Sequence, residues 1–315
     1  MSVIFQPAGT RQRGRTMLEL LISMAIGLVV LGALMVIYLS TNASNRQSTA
    51  VSRMNEDAGI VMNLVGTQLR MAGFSLPRRQ VAPGGAKVGN VLISVPDRNF
   101  IGAGIRGCDH GFVNLAAAFD SIACSAAATG SAAFAIRFEG VDPDDIASVK
   151  SLAPPREDCR GNEVTVDTVG ALEGATYRLV ESRYMVRVST SNGTHELFCA
   201  GNGSAFNPYP IIQYVEGMHA RYGVAKDALT REIDRFDATG ADVDALPGTP
   251  DQRWSRVVSV RLCILMRSAQ PDPGGASSYL DCDGNPQPSA GGFARRAYSS
   301  VFTLRNRGGF SASAP

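Results

Sequence analysis

An apolar stretch near the N-terminus constrains the fold of this chain more than any other feature. It runs from Met17 to Leu39 and carries a single charged residue, Glu19. The stretch exceeds the ~20 apolar residues that a helix needs to cross a bilayer. A carboxylate in the middle of a bilayer costs about 2.5 kcal/mol or more, and such groups usually have a function. We therefore predict a membrane-embedded helix in which Glu19 has a specific task.

The residues in front of this stretch are polar and basic. Arg11, Arg13 and Arg15 alternate there with Gln12 and Gly14. Basic residues tend to stay on the cytoplasmic side of a membrane. We therefore expect Arg11 and Arg13 to remain in the cytoplasm and the chain beyond the helix to lie on the other side.

This junction resembles the class III signal of type IV prepilins and type II secretion pseudopilins. That signal is a short basic leader ending in Gly, followed by a hydrophobic helix with Glu at its fifth mature position. The resemblance implies that a prepilin peptidase removes residues 1–14 by cutting between Gly14 and Arg15. It also implies that Glu19 docks the subunit against its neighbours. The family usually has Phe or Met where this chain has Arg15, so N-methylation of Arg15 stays an open question.

Two simpler interpretations of the apolar stretch remain. It fits a plain transmembrane anchor with Glu19 near the headgroups. It also fits a secretory signal cut after Ala43, because Thr41-Asn42-Ala43 offers small residues in suitable places. The apolar block is longer than the usual ~7–15-residue core of a secretory signal, and Glu19 lies inside it.

The helix is predicted to continue beyond the membrane. Apolar residues recur there at spacings of three and four, which is typical of one helix face: Val51, Met54, Ala58, Val61, Val65, Leu69 and Ala72. Gly73 follows where a C-cap glycine is expected. We predict one helix from about Arg15 to Ala72, with a transmembrane or filament-core half at 15–39 and an amphipathic half within 40–76.

Residues 77–315 are predicted to form a β-rich head domain outside the cytoplasm. Their predicted strands are Phe134–Phe138, Glu163–Val169, Tyr177–Val188, Glu196–Cys199, Ile211–Val224, Arg256–Met266 and Tyr298–Leu304. Strands that follow one another without helices indicate an antiparallel sheet, and the amphipathic half of the helix would cover it. Residues 225–252 are predicted to be an exposed polar loop and Arg307–Pro315 a frayed tail. The predicted fold class is α+β.

Six cysteines lie beyond the membrane segment: Cys108, Cys124, Cys159, Cys199, Cys263 and Cys282. An even number in an exported chain indicates disulfides in an oxidising compartment. Six cysteines allow 15 pairings. We expect neighbours in sequence to pair, since Cys108 and Cys124 bracket a loop-like stretch and Cys282 follows a Pro/Gly/Ser-rich excursion after Cys263.

Four segments of the head resemble PilW-type minor pilins: Gly107–Phe112, Gln213–Gly223, Trp254–Arg261 continuing to Met266–Ser268, and Phe302–Arg307. J-type pseudopilins of type II secretion are similar in the same places and remain an alternative. The resemblance implies a type IV pilin-like fold and a structural subunit in a tip complex that primes pilus assembly. The partners it implies are the other minor pilins, the major pilin, the prepilin peptidase, the inner-membrane assembly platform and a tip adhesin. It places the chain in the bacterial inner membrane, with a periplasmic head, and then in the pilus.

None of the candidate catalytic motifs in the sequence is complete. Gly102–Gly107 matches G-x-G-x-x-G, but a dinucleotide site needs a strand before it and a helix after it, so we predict a flexible loop. His195-Glu196 begins like H-E-x-x-H, yet Cys199 stands where the second His belongs. No G-x-S-x-G elbow is present for a serine nucleophile. We predict that the chain is not an enzyme, with a membrane-tethered periplasmic enzyme or binding protein as the remaining alternative.

Bound cofactors and nucleic acid are not expected. The net charge is +2, and lysine occurs only at positions 87, 150 and 226. Acidic side chains cluster in two places, Asp142, Asp144 and Asp145, and Asp272, Asp281 and Asp283 with Asn285. Calcium favours several oxygens from one loop, but neither cluster has EF-hand spacing. Calcium is the one ion left open.

Overall fold

The computed structural model describes residues 16–76, 86–88, 91–93, 100, 102–127, 129–141, 154–169, 176–227, 232–271 and 278–307. The chain divides into two compact units, with the boundary between Thr49 and Ala50. One helix, α1 (Met17–Met71), begins in the first unit and ends in the second.

The first unit contains the N-terminal part of α1. From Thr16 to Thr41 every side chain is exposed except at Gly27, which is half-buried. This part is long and apolar enough to cross a membrane. Apolar surface exposed on this scale is normally covered by lipid or by another apolar surface.

The second unit begins with the amphipathic part of α1. The predicted stripe faces its core, since Met54, Ala58, Val61, Val65, Leu69 and Ala72 are all buried. Each fully buried Val or Leu contributes about 1.5–3 kcal/mol. After α1, Gly73 adopts a left-handed conformation (φ 74°) and its N–H donates to the carbonyl of Arg137. The predicted helix, its buried face and its glycine cap are confirmed.

An antiparallel sheet of six strands forms one layer of the head. Its strands are β3 (Ile105–Cys108), β4 (Ala133–Gly140), β5 (Asp167–Val169), β6 (Thr176–Val188), β7 (His195–Gly201) and β8 (Tyr209–Gln213). The order is β3-β4-β6-β7-β8, and β5 pairs with β6. Strand β4 is buried along its whole length. Phe134, Ile136 and Phe138 join the main core, whereas Ala133 packs with Met185 and Ala200 in a second small cluster.

A second antiparallel sheet has four strands. They are β9 (Val215–Ala225), β10 (Ile233–Ala238), β11 (Val257–Arg267) and β14 (Arg295–Thr303), in the order β10-β9-β11-β14. Two further pairs are separate hairpins, β1 (Ala86–Val88) with β2 (Val91–Ile93) and β12 (Ser278–Leu280) with β13 (Pro286–Pro288). The four-stranded sheet shares the main core with α1 and the six-stranded sheet, through residues such as Leu262, Ile264 and Phe302.

The region predicted to be an exposed loop at 225–252 is instead largely ordered. It contributes β10, and the short helices α2 (Gly240–Asp244) and α3 (Pro250–Trp254) occupy its second half. Each short helix has a reciprocal capping box, from Thr239 with Asp242 and from Thr249 with Gln252. These caps satisfy backbone donors that a helix of five residues otherwise leaves free. Ala238 and Val243 are buried, so the loop prediction was wrong.

Three other predictions need correction. The single strand at 211–224 is two strands in different sheets, because Tyr214 has a left-handed backbone (φ 63°) that breaks the extended chain. The strand at 163–169 is regular only at β5, and Glu163 forms an isolated bridge with Glu157. In place of the single predicted sheet, the described residues form two larger antiparallel sheets and two small hairpins. The frayed tail lies outside the described residues from position 308 onward.

Candidate functional site

The start of α1 carries the acidic residue that the sequence singled out. Thr16 precedes the helix, and its carbonyl accepts the N–H of Glu19 at 3.0 Å. The Ser23 hydroxyl donates to the Glu19 carbonyl at 2.7 Å. Both contacts engage the backbone of Glu19. Within the described residues its carboxylate has no partner, and the side chain is exposed among apolar neighbours. With no partner among the described residues, this carboxylate is available to a charge on another molecule.

The structure does not describe the predicted cleavage site before Glu19. Gly14 and Arg15 lie outside the described residues, as does the whole leader at 1–14. By sequence, Arg15 is four residues before Glu19, which is about one turn of an α-helix. The cleavage therefore stays a prediction.

The six cysteines form three pairs in the structure. These are Cys108–Cys124, Cys159–Cys199 and Cys263–Cys282, with Cα–Cα distances of 5.2, 6.3 and 5.8 Å. The first ties the end of β3 to the following loop. The second ties the loop before β5 to β7, and the third ties β11 to the β12–β13 hairpin. Neighbours in sequence pair, as the sequence analysis expected.

The glycine motif at 102–107 is a packing feature. Strand β3 runs through its second half, so the motif is not a flexible loop, and that prediction was wrong. A Cβ at Gly104 would meet the backbone of Gly73 and Ala72, and a Cβ at Gly107 would meet the Tyr222 ring. The glycines therefore allow the end of α1 and strand β9 to approach β3.

The histidines occupy separate elements and do not assemble a site. His110 follows β3, where its Nδ1 lies 3.5 Å from the Gly130 carbonyl. His195 is the exposed first residue of β7. His219 lies in β9, with its Nδ1 3.7 Å from an Asp283 carboxylate oxygen. Within the part of the chain that the structure describes, these contacts pair His110 with a carbonyl and His219 with a carboxylate rather than with a nucleophile.

The acidic cluster around Cys282 is hydrogen-bonded internally. Asp281 accepts the backbone N–H groups of Asp283 and Asn285 and the side-chain amide of Gln287. The Gln287 amide and these backbone donors lower the pKa of Asp281. Asp283 faces Arg221 at 3.4 Å. Across the described ranges no group of three acidic, His or Cys side chains has a geometry suited to a metal. Asp272 and the cluster at 142–145 lie outside those ranges.

Three arginines are buried among the described residues, Arg106, Arg137 and Arg183, and none of them was singled out from the sequence. Arg183 on β6 is fully buried. Its guanidinium donates to the Glu181 carboxylate at 2.7 Å and to the carbonyls of Leu115 and Ala117 at 2.5 and 2.6 Å. Burial raises the pKa of Glu181 although Arg183 opposes the shift. This pair holds the Cys108–Cys124 loop against the six-stranded sheet.

Arg137 performs a similar structural task on β4. Its guanidinium pairs with Asp120 at 3.1 Å and with Asp251 at 3.0 Å, and its Nε donates to the Ala103 carbonyl at 2.7 Å. It therefore links the loop after Cys108 and helix α3 to the sheet. The available signal was a lone charge within the apolar run Phe134–Phe138, because a buried charge requires a partner.

Comparison with known proteins gives two family matches. Residues 183–306 match the family described as Type IV Pilus-assembly protein W, and residues 9–35 match the prokaryotic N-terminal methylation motif. A search of curated proteins finds no match. Among solved structures the chain is similar to a type IV-like pilin from Thermus thermophilus, with 10% identity, a TM-score of 0.39, and coverage of 81% of this chain and 97% of that one. A structural likeness at this score supports no argument about function.

The two family matches cover the N-terminal apolar helix and the C-terminal half of the head. The methylation motif contains Glu19 and most of the exposed apolar part of α1. The other match runs from the buried Arg183 through the four-stranded sheet to Asn306. One polypeptide therefore carries a segment similar to the PilW family and a segment similar to the N-terminal methylation motif.

Proposed function

We propose that this chain is a minor subunit of a type IV pilus and belongs to a tip complex that primes pilus assembly. The observation that carries the proposal is the exposed apolar part of α1, on the same polypeptide as a segment similar to PilW. At the start of this helix, the Glu19 carboxylate has no partner among the residues that the structure describes. Such a helix needs an apolar environment, and lipid followed by a bundle of like helices supplies it.

The proposed mechanism begins with removal of residues 1–14 by a prepilin peptidase. Cleavage after Gly14 creates a positively charged α-amine on Arg15. In lipid, Glu19 of an incoming subunit pairs with the α-amine of a neighbouring subunit. An ion pair is stronger in a low-dielectric medium than in water, and pairing removes the cost of an isolated carboxylate in lipid. One such pair sets the axial register between neighbours.

The apolar helix then moves from lipid into a bundle of helices. Gly27 and Gly32 have open space around them, since a Cβ on either would meet nothing within 4 Å. Small residues let neighbouring helices approach closely in a membrane. The proposed neighbours are the other minor pilins and the major pilin, with the assembly platform and a tip adhesin as further partners. The proposed location is the inner membrane, with the head in the periplasm, and afterwards the pilus.

The docking role of Glu19 is tested by Glu19→Ala, with Ser23→Ala as the control one turn further along the same helix. We expect Glu19→Ala to insert into the membrane and to be processed, yet to leave the cells without pili. Ser23→Ala should preserve pili. Electron microscopy of surface filaments and immunoblots of sheared pili provide the measurement. Normal piliation with Glu19→Ala would refute the role.

Processing is tested separately with Gly14→Ala. The variant should accumulate as a precursor about 14 residues longer than the mature protein, because the peptidase recognises the glycine at the cleavage site. Gel mobility and N-terminal sequencing distinguish the two forms. An N-terminus at Arg15 in the variant would contradict the proposal.

A deletion strain that keeps its pili but retains secreted proteins would instead indicate a secretion pseudopilus.

A further inference from the structure

Strand β14 forms one edge of the four-stranded sheet. Its nine residues pair with β11 from Arg267↔Arg295 to Ser259↔Thr303 without a register shift. It is the last strand in the order β10-β9-β11-β14. One side of its backbone is therefore paired and the other faces away from the sheet.

The ladder identifies which groups face outward. At the ends of β14, the Leu304 N–H donates to the Val258 carbonyl, and the Ala294 carbonyl accepts the Ser268 N–H. Hydrogen-bonded pairs alternate along an antiparallel ladder, so the even-numbered residues of β14 bond to β11. The odd-numbered residues direct their N–H and C=O groups outward. We call these groups the outer edge of β14: Arg295, Ala297, Ser299, Val301 and Thr303.

The other long sheet edges are protected against pairing. Strand β10 has two register shifts in its pairing with β9 and carries charged side chains along its length. Strand β8 contains Pro210 and a register shift. Bulges, prolines and charges are the devices with which natural sheets prevent edge-to-edge association. From Ala297 to Thr303, β14 has no proline, no charge and no bulge. Val301 is 62% exposed there.

A groove of 580 Å³ lies beside the outer edge, between β14 and the β12–β13 hairpin. Ala297 and Ser299 line it together with Leu280 and the Cys263–Cys282 disulfide, and charged side chains, among them Asp281 and Asp283, form most of the rest of its lining. In strand addition, backbone hydrogen bonds supply affinity, and adjacent pockets for alternate side chains supply specificity. The groove is such a pocket for an added strand.

Two cations flank the neutral part of the outer edge. Arg296 lies over the Tyr298 ring at one end, and Arg70 lies over the Phe302 ring at the other. Neither guanidinium has a carboxylate counter-ion among the described residues. An added strand would complement this edge if its middle were uncharged and its two ends, about six residues apart, were acidic.

We propose that the outer edge of β14 receives an extended segment of another pilus subunit as a fifth strand of the four-stranded sheet. The segment is neutral in the middle and acidic at both ends. This inference rests on the proposed function in one respect, namely that the head contacts other subunits.

A second copy of this chain is a poorer occupant. Antiparallel self-pairing centred on Ser299 places Arg296 of one copy opposite Phe302 of the other. Arg70 lies over that Phe302 ring, so two uncompensated cations would meet at each end of the pair. Like charges placed opposite each other destabilise a sheet. The occupant is therefore a different, acidic-ended segment.

The test follows amide hydrogen exchange at single residues along β14. Two samples of the full-length chain are compared. One is purified in detergent, and the other is a cell fraction that combines sheared pili and membranes and contains the chain in its native assemblies. The amides of Ala297, Ser299 and Val301 should exchange about tenfold or more slowly in the assemblies, because a paired amide exchanges only when the structure opens. The amides of Tyr298 and Ser300 should be slow in both samples. Outward amides that are equally fast in both samples, or slow in both, would overturn the proposal.

A pair of variants separates strand addition from general stability. Ser299→Pro removes an outward N–H and retains the bonds between β14 and β11, whereas Ser299→Ala keeps that N–H. Only Ser299→Pro should lose the protection of Ala297 and Val301 in the assemblies, with thermal unfolding of the purified protein close to that of Ser299→Ala. Protection that survives in Ser299→Pro would refute strand addition. Immunoblots of sheared pili test the proposed function separately, because they show whether the chain enters a pilus. Protection of the β14 amides in membrane assemblies does not require that step.

Discussion

A fully buried arginine shows how single residues organise the head. The side chain of Arg183 is 0% exposed and bonds to Glu181 and to two carbonyls of the Cys108–Cys124 loop. The Phe206 ring lies 4.1 Å from its guanidinium carbon. Burying a charge is tolerated only when hydrogen bonds and an opposite charge compensate the loss of water. The whole set of partners is therefore needed to keep Arg183 in the interior.

Replacing Arg183 with methionine should destabilise the head strongly. Arg183→Met leaves Glu181 buried without its cation and removes two bonds to the loop, a loss of about 3–5 kcal/mol. Arg187→Met is the matched control, because Arg187 is exposed on the same strand and surface changes cost about 0.5 kcal/mol or less. Urea unfolding of the oxidised protein provides the comparison. Equal midpoints for the two variants would contradict the role of Arg183.

Glu181 should make stability depend on pH. Burial raises its pKa in the folded protein above the ordinary value of 4.5, so the folded state binds the proton more tightly than the unfolded state. This contribution to stability is present below pH 4.5 and is lost as the pH rises through the folded pKa. The stability of wild type relative to Glu181→Gln should therefore fall from pH 4 towards neutrality. Urea midpoints across that range test this, and a constant difference would contradict it.

At the scale of elements, the accuracy of the sequence predictions depended on how local each signal is. Helix α1 was predictable because its buried face repeats every three or four residues and Gly73 ends it. The break at Tyr214 was not, since a left-handed tyrosine has no sequence signature. Helices α2 and α3 were missed because their capping residues, Thr239 and Thr249, lie in a Gly- and Pro-rich stretch that resembles a loop.

For the candidate site, too, only the residues with a local sequence signal were predictable. Glu19 was predictable because one charge within an apolar run is visible without a structure. The partners of the buried Arg137 and Arg183 were not. Asp251 is 114 residues from Arg137, and the carbonyls that bind Arg183 are 66 and 68 residues from it. Contacts over such separations depend on the arrangement of whole sheets.

The junction between α1 and β3 gives a prediction at the scale of elements. A Cβ at Gly104 would meet the backbone of Gly73 and Ala72, so Gly104→Ala should push the helix end away from β3 and cost about 1–3 kcal/mol. Gly59→Ala is the control, since a Cβ at Gly59 meets nothing within 4 Å. It should stabilise α1 by about 0.5–1 kcal/mol. Thermal unfolding shifts of opposite sign are expected, and shifts of equal sign would contradict the prediction.

At the scale of the whole molecule, the hydrophobic core lies entirely within the second unit. Every buried hydrophobic residue that the structure describes is at position 54 or later. The three disulfides also lie there. The first unit, by contrast, exposes its apolar side chains from Met17 to Leu39. The two units therefore differ in what stabilises them: internal packing for the head, and an external apolar environment for the N-terminal part of α1.

This division predicts that the head folds without the first unit. A fragment comprising Ala50–Pro315, secreted into an oxidising compartment, should unfold cooperatively at nearly the same temperature as the full-length chain in detergent, because it retains the buried residues and the cysteine pairs. Near-ultraviolet circular dichroism during heating measures the transition. Only the full-length chain should float with lipid vesicles in a density gradient, since the fragment lacks the Met17–Leu39 stretch. A fragment that is unfolded, or that floats with the vesicles, would show that the second unit depends on the first or binds lipid itself.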